Sequence, residues 1–215
     1  MFVITADQVD SRSRPDIVGE TLSRLNEEHA VRLVLPVDRN AGDELQVLTD
    51  DAGTALAIVL DLTRGGSWSV GLGIGSVRLP LPAETREASG DAFIAAREAV
   101  RRAKKAATRF AIDVVVADTA GRANVGWPSA ADAEALVNLA LVIRERRTVA
   151  GWELYDLVSA GLTQADAAAK LGITAPSASS RARAAAVRPE LAALPALTRL
   201  LENVDRANTR TDPAE

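Results

Sequence analysis

The densest group of side chains able to bind another molecule lies near the C-terminus, where Thr174-Ala175-Pro176-Ser177 leads into Ser179, Ser180, Arg181 and Arg183. Hydroxyls and guanidiniums spaced along one helix can hydrogen-bond phosphate oxygens and base edges in a DNA groove. The residues just before them specify how such a helix is held. Thr163 with Asp166 three residues later is a capping-box pattern, Gly172 supplies a left-handed residue for a tight turn, and Ile173 plugs the angle between two helices. Thr174 then caps a second helix, whose first turn tolerates Pro176 because the missing N–H is unpaired there in any case. Ala178 and Ala182 are one turn apart and face inward, toward the small Ala167 and Ala168. Pro176, Ser177, Ser179, Ser180 and Arg183 are left outward. The expectation is a helix-turn-helix, from about Trp152 to Ala186, with double-stranded DNA as partner. The alternative is a plain helical hairpin that serves to dimerise. From Gly161 to Arg188 four basic residues stand against the single Asp166, while the whole chain carries a formal charge of −4. Basic charge is therefore local, which excludes a protein that coats nucleic acid over its whole surface.

A second group of candidates is acidic, and its meaning depends on the elements that carry it. Phe2 to Ala6 is an apolar, β-rich run that ends at Asp7, and Asp16 to Glu28 has Ile17, Leu22 and Leu25 at near-helical spacing. Val31 to Leu35 and Leu45 to Leu48 flank a Pro, Asn and Gly-containing stretch closed by Ala41-Gly42-Asp43-Glu44, which predicts a hairpin. Asp51 to Arg64 is an apolar helix stopped by Gly65-Gly66, and Trp68 to Val77 is a strand with glycines at 71, 73 and 75. The order β-α-β-β-α-β predicts an α+β domain of ferredoxin-like split topology, with two helices over one face of an antiparallel sheet. That topology sets the end of the first strand beside the central hairpin, so Asp7 and Asp43 become neighbours. The alternating glycines permit close packing or approach of a ligand and are not a phosphate loop. Asp91 to Thr108 is a further amphipathic helix with Arg97, Arg101, Arg102, Lys104 and Lys105 on its polar side. Ile112 to Ala117 is a later strand, and Ala130 to Arg147 a long helix. The expected domains are 1–126, a connecting helix over 127–150, the helix-turn-helix over 151–201, and a flexible polar tail over 202–215.

A Gly-Asp-Glu hairpin following a strand that ends in Asp resembles the palm of class III nucleotide cyclases and diguanylate cyclases. A closer similarity is to the SatD family, carried by Asp7-Gln8-Val9-Asp10-Ser11-Arg12, Gly42-Asp43-Glu44-Leu45-Gln46, Gly73-Ile74-Gly75 and Ala92-Phe93-Ile94-Ala95-Ala96-Arg97-Glu98-Ala99, in that order. In this chain Asp10 replaces the family's glycine and Leu45 its aromatic. Ile94 and Ala95 stand before Arg97, where the cyclases carry an Asn. The resemblance implies that Asp7 and Asp43 hold Mg2+ or Mn2+ against a nucleotide, since hard cations prefer carboxylate oxygens and complete their shell with phosphates. Asp10, Arg12, Glu44 and Arg97 are the implied nucleotide-side residues; a turn or capping role for the acids and a solvated role for the arginines are the alternatives. Gly161-Leu162-Thr163-Gln164 followed by Leu171-Gly172-Ile173 resembles the reading unit of sigma-factor region four. Together these imply a homodimeric transcriptional regulator whose palm binds a nucleotide or cyclic nucleotide. An active metal-dependent nucleotidyl cyclase with a DNA-binding tail is the alternative.

Several chemistries are excluded outright. The chain has no cysteine, hence no disulfide, thiolate nucleophile or Cys-based zinc site. Its single histidine, His29, lies in the polar run Glu27-Glu28-His29 and is expected at an exposed helix end. The N-terminal residues lack a basic leader followed by a long apolar stretch, and no apolar run approaches the roughly 20 residues needed to span a bilayer. A cytoplasmic location with no membrane partner is expected. With 215 residues, 47% of them hydrophobic, the chain can build one core and a small second module.

Overall fold

Every residue from Phe2 to Ala6 is buried, so this strand must be covered on both faces. The computed structural model, which describes residues 1–40, 42–115 and 128–209, places it as β1 (Phe2–Gln8) at the centre of a five-stranded mixed sheet. The order is β2-β3-β1-β4-β5, with β2 at Leu35–Arg39, β3 at Glu44–Thr49, β4 at Trp68–Ile74 and β5 at Phe110–Val114. β1 runs antiparallel to β3 and β4, β2 runs antiparallel to β3, and β5 runs parallel to β4. Helices α1 (Val18–His29), α2 (Ala52–Leu62) and α3 (Asp91–Ala103) connect these strands, which makes the class α+β.

The glycines of β4 decide how closely α3 approaches. A Cβ on Gly71 would lie 2.2 Å from the Val100 nitrogen, and one on Gly73 would lie 2.1 Å from the Ala92 oxygen. Val3, Leu48, Ala92, Phe93 and Ala96 pack in the same layer. By strand alternation Ile4, Val47 and Leu72 point the opposite way, to the face covered by α1 and α2. α2 is capped by Asp51, whose carboxylate accepts from the Thr54 N–H at 2.6 Å.

By internal contacts the chain divides into two units: Met1–Asn138 with the chain from Leu197 onward, and Leu139–Ala196. The smaller unit contains α5 (Val149–Ser159), α6 (Gln164–Lys170) and α7 (Ala175–Ala184). Its core is Leu154, Tyr155, Ala167, Ala168, Ala178, Ala182, Ala185 and Val187. Helices α4 (Ala130–Glu145) and α8 (Val187–Thr209) contribute residues to both units.

Several boundaries differ from the sequence expectation. The first hairpin strand is not Val31 to Leu35: Ala30–Arg32 is a 3-10 turn with Val31 95% exposed, and the strand is Leu35–Arg39. Pro36 is tolerated because β2 is an edge strand with an irregular register between Leu35 and Asp38. β4 stops at Ile74, and the helix expected to reach Thr108 ends at Ala103, after which Arg109 adopts φ 53°. The later strand is Phe110–Val114; Val116 and Ala117 lie outside the described residues, as does the 126/127 boundary. The connecting helix expected to 150 ends at Glu145, and α5 starts at Val149.

The tail expected from 202 is helical to Thr209, because Val204 is buried like Leu201 just before the tail. Asp205 accepts from the N-terminal amine at 2.7 Å and Asn208 donates to the Ile74 carbonyl at 3.2 Å. Residues 210–215 lie outside the described residues. No helix among the described residues is long and apolar enough to cross a membrane.

Candidate functional site

In the smaller unit, local chemistry fixes the relation of α6 to α7. Thr163 Oγ1 accepts from the Asp166 N–H at 3.1 Å and donates to the Asp166 carboxylate at 2.6 Å, which closes the first turn of α6. Gly172, at φ 64°, carries the chain out of the helix with nothing within 4 Å of where a Cβ would stand. Thr174 Oγ1 accepts from the Ser177 N–H at 3.3 Å and caps α7, with Pro176 in the first turn. Ala178 and Ala182 are buried beside Ala167 and Ala168, and Ile173 packs on the same cluster. Thr174, Ala175, Pro176, Ser179, Ser180 and Arg183 are exposed, while Ser177 and Arg181 are half-buried. Arg181 Nη1 lies 3.9 Å from Glu153 on α5, so this guanidinium has a partner within its own unit. Ser179 and Arg183 are one turn apart and share the outward side.

The same unit holds a buried ionic cluster that sequence reasoning missed. Arg144 and Arg147 both bond Glu190, and Arg147 donates through Nε and Nη2 to the Ala185 carbonyl at 3.0 and 2.8 Å. The Arg147 guanidinium also stacks 4.4 Å from the Trp152 ring and 4.2 Å from the Tyr155 ring. Ala185 is the residue that follows α7, so Arg147 pairs a carbonyl at the end of that helix. Burial, and then the hydrogen bond with Glu190, push the Tyr155 phenol above its ordinary value. Glu190 is 43 positions from Arg147 and carried no local signal.

In the larger unit Asp7 stands opposite Glu44 on β3 and Ser69 on β4, and the Gln8 N–H donates to the Asp43 carbonyl at 3.0 Å. The two acids thus come from adjacent strand ends. Asp7 accepts from Lys104 Nζ at 2.7 Å, and Asp43 accepts from Ser11 Oγ at 2.5 Å. Glu44 accepts from Asn40 Nδ2 at 2.5 Å. Asp10 is exposed at φ 56°, with Arg14 3.8 Å away, a left-handed conformation that explains why a glycine fits this position as well. Arg12 is exposed, and so is Arg97, which lies on α3 two turns before Lys104 and on the same side.

Gln8 holds the loop between β1 and α1 in place: its Nε2 donates to the Pro15 carbonyl at 2.7 Å and its Oε1 accepts from the Ile17 N–H at 3.2 Å. Arg39, then the Val18 N–H, keep the Asp16 carboxyl below the usual carboxylate range at the start of α1. Thr5 is buried on the same sheet face as Asp7, its hydroxyl without a hydrogen-bond partner among the described residues. Among the described residues no three carboxylate or imidazole side chains converge, so Asp7 and Asp43 offer two protein carboxylates at most. Lys104 was visible in the sequence only as one of five basic residues on a helix; its partner Asp7 is 97 positions away. No protein-family model, curated protein or solved structure matches this chain.

Proposed function

We propose that this chain is a DNA-binding transcriptional regulator whose N-terminal domain, a cyclase-like palm of SatD type, binds a nucleotide or cyclic nucleotide. The observation that carries the reading is the α6–α7 pair. A capped helix, a left-handed glycine and a second helix anchored by two buried alanines present Thr174 to Pro176, Ser179, Ser180 and Arg183 outward. This is the arrangement with which a helix-turn-helix places its second helix in the major groove. Arg183 is the base- or phosphate-contacting cation, and the serines contact phosphate or base without strong preference.

The strand order β2-β3-β1-β4, antiparallel at every step, supports the ferredoxin-like reading of the larger unit, with β5 as an addition. Asp7 and Asp43 have the oxygen chemistry to hold Mg2+ or Mn2+, which would neutralise the phosphates of a bound nucleotide. Lys104, Arg12 and Arg97 are the nearby sources of positive charge, while Glu44 and Asp10 border the same strand ends. Regulation requires that the nucleotide bind two states of the protein unequally. A homodimer fits, because one small reading unit rarely supplies enough contacts, and two half-sites lie about one DNA turn, roughly 34 Å, apart.

The test is selection of bound fragments from sheared genomic DNA, followed by sequencing. Enrichment of fragments with paired half-sites is expected, and recovery indistinguishable from input would overturn the reading. Incubating the protein with Mg2+ or Mn2+ and each nucleoside triphosphate, followed by mass spectrometry, separates its two forms. A retained nucleotide is expected, and a cyclic product would make the palm an enzyme.

A further inference from the structure

The leading end of α7 offers carbon where the rest of the helix offers polar groups. Thr174, Ala175 and Pro176 are all exposed, and the Thr174 hydroxyl is committed to the Ser177 N–H that it caps. Ser177 is half-buried, and Ala178 is buried in one cluster with Ala167 and Ala168. The first exposed side chains within α7, the Ala175 methyl and the Pro176 ring, therefore have no polar atom to present. Hydroxyls return at Ser179 and Ser180, and the exposed cation Arg183 follows one turn later.

We propose that Ala175 and Pro176 read the 5-methyl group of thymine, so that the preferred DNA carries a T·A pair under the start of α7 in each half-site. This readout rests on the regulator reading, which lays the helix in the major groove with its N-terminal residues at the base edges. The only apolar substituent that a base pair presents in that groove is the C5-methyl of thymine. Carbon set against the donors and acceptors of a G·C pair would desolvate them without replacing their hydrogen bonds to water. Choice at this position thus comes from rejection of the wrong edge as well as from contact with the methyl. The serines that follow pair with donors and acceptors alike and add little choice. The occupant is DNA and not an apolar partner protein, because from Gly161 to Arg188 four basic residues stand against the single Asp166.

The probe is a duplex fragment selected from sheared genomic DNA, prepared once with thymine and once with uracil, which lacks the methyl and keeps every groove donor and acceptor. The full-length wild type is expected to bind the uracil form more weakly, by roughly fourfold for each thymine contacted, which is what burial of one methyl-sized group is worth. Ala175→Gly and Pro176→Ala are expected to bind the thymine form more weakly than the wild type does and to lose part of that ratio. Each protein is compared with itself on two DNAs, so a partly unfolded variant changes both affinities alike and the ratio stays readable. Single thymine-to-uracil replacements then locate the effect, expected at one position of each half-site. A small effect spread over every thymine would mark DNA shape in place of contact and would overturn the readout. Equal wild-type affinity for the two DNAs would overturn it too, while leaving DNA binding and the regulator reading intact. A wild-type ratio that both variants retain in full would remove Ala175 and Pro176 from the contact. Recovery of no fragment above input would instead overturn the regulator reading itself, and the thymine readout with it.

Discussion

Glu190 balances two buried cations in the smaller unit, Arg144 and Arg147, with side chains 3%, 7% and 0% exposed respectively. Removing one partner of such a cluster costs far more than the cluster contributes, because the remaining charges stay desolvated. Glu190→Gln is therefore expected to destabilise the smaller unit by about 3–5 kcal/mol, read as an early transition in urea; wild-type unfolding would show that the cluster does not hold this unit. In the larger unit the relevant group is Asp43. Asp43→Asn keeps the shape and the bond from Ser11 but removes the charge, so metal-dependent nucleotide binding should weaken while the fold persists. Unchanged binding by calorimetry would remove Asp43 from the site. That Asp7 and Asp43 lie at adjacent strand ends was legible from the β-α-β-β-α-β order and the split topology it predicts. Lys104 and Ser11, which complete their surroundings, were not, because side-chain reach across the fold leaves no trace in spacing.

At the scale of elements, the capped turns were the most legible features, since Thr163–Asp166, Gly172 and Thr174 act within four residues of themselves. The β-α-β-β-α-β order was also legible, from runs of two-residue and near-helical periodicity. The position of β2 was not, because a proline inside a short run reads as a break unless the strand is known to lie at an edge. The end of α8 was missed for the opposite reason: polar residues mask Leu201 and Val204, whose burial keeps the helix intact to Thr209. Packing at Gly71 gives a sharp expectation. A methyl group there meets α3 backbone at 2.2 Å, so Gly71→Ala must displace the helix and cost about 3 kcal/mol or more in denaturant unfolding, whereas Gly19→Ala, which meets nothing within 4 Å, should not destabilise. The α2 cap has a pH signature. The Thr54 hydroxyl, then its N–H, hold the Asp51 carboxyl below its ordinary range. A depressed folded value means that the stabilisation is present above the unfolded carboxyl's pKa of about 3.9 and is lost as pH falls through the lower folded value. Asp51→Ala should cost about 1 kcal/mol at neutral pH and progressively less as pH falls below the unfolded carboxyl's value of about 3.9, and a cost that does not change with pH would contradict the capping role.

For the whole molecule, the proposed regulator assigns ligand binding to the α+β unit with its strand-end acids and DNA binding to the helical unit with its exposed serines and Arg183. Arg183 is the exposed guanidinium of α7, so DNA contact by that helix depends on it most directly. The decisive experiment is fluorescence anisotropy of the full chain on a selected genomic fragment at two salt concentrations, for the wild type and for Arg183→Ala at matched thermal stability. Wild-type affinity should fall with salt, and the variant should bind more weakly. A phosphate contact should reduce the salt slope by about one unit on every sequence, and a guanine contact should cost about 1–3 kcal/mol at one base position. Equal affinity of the two proteins at both salt concentrations would contradict the placement of α7 in a DNA groove.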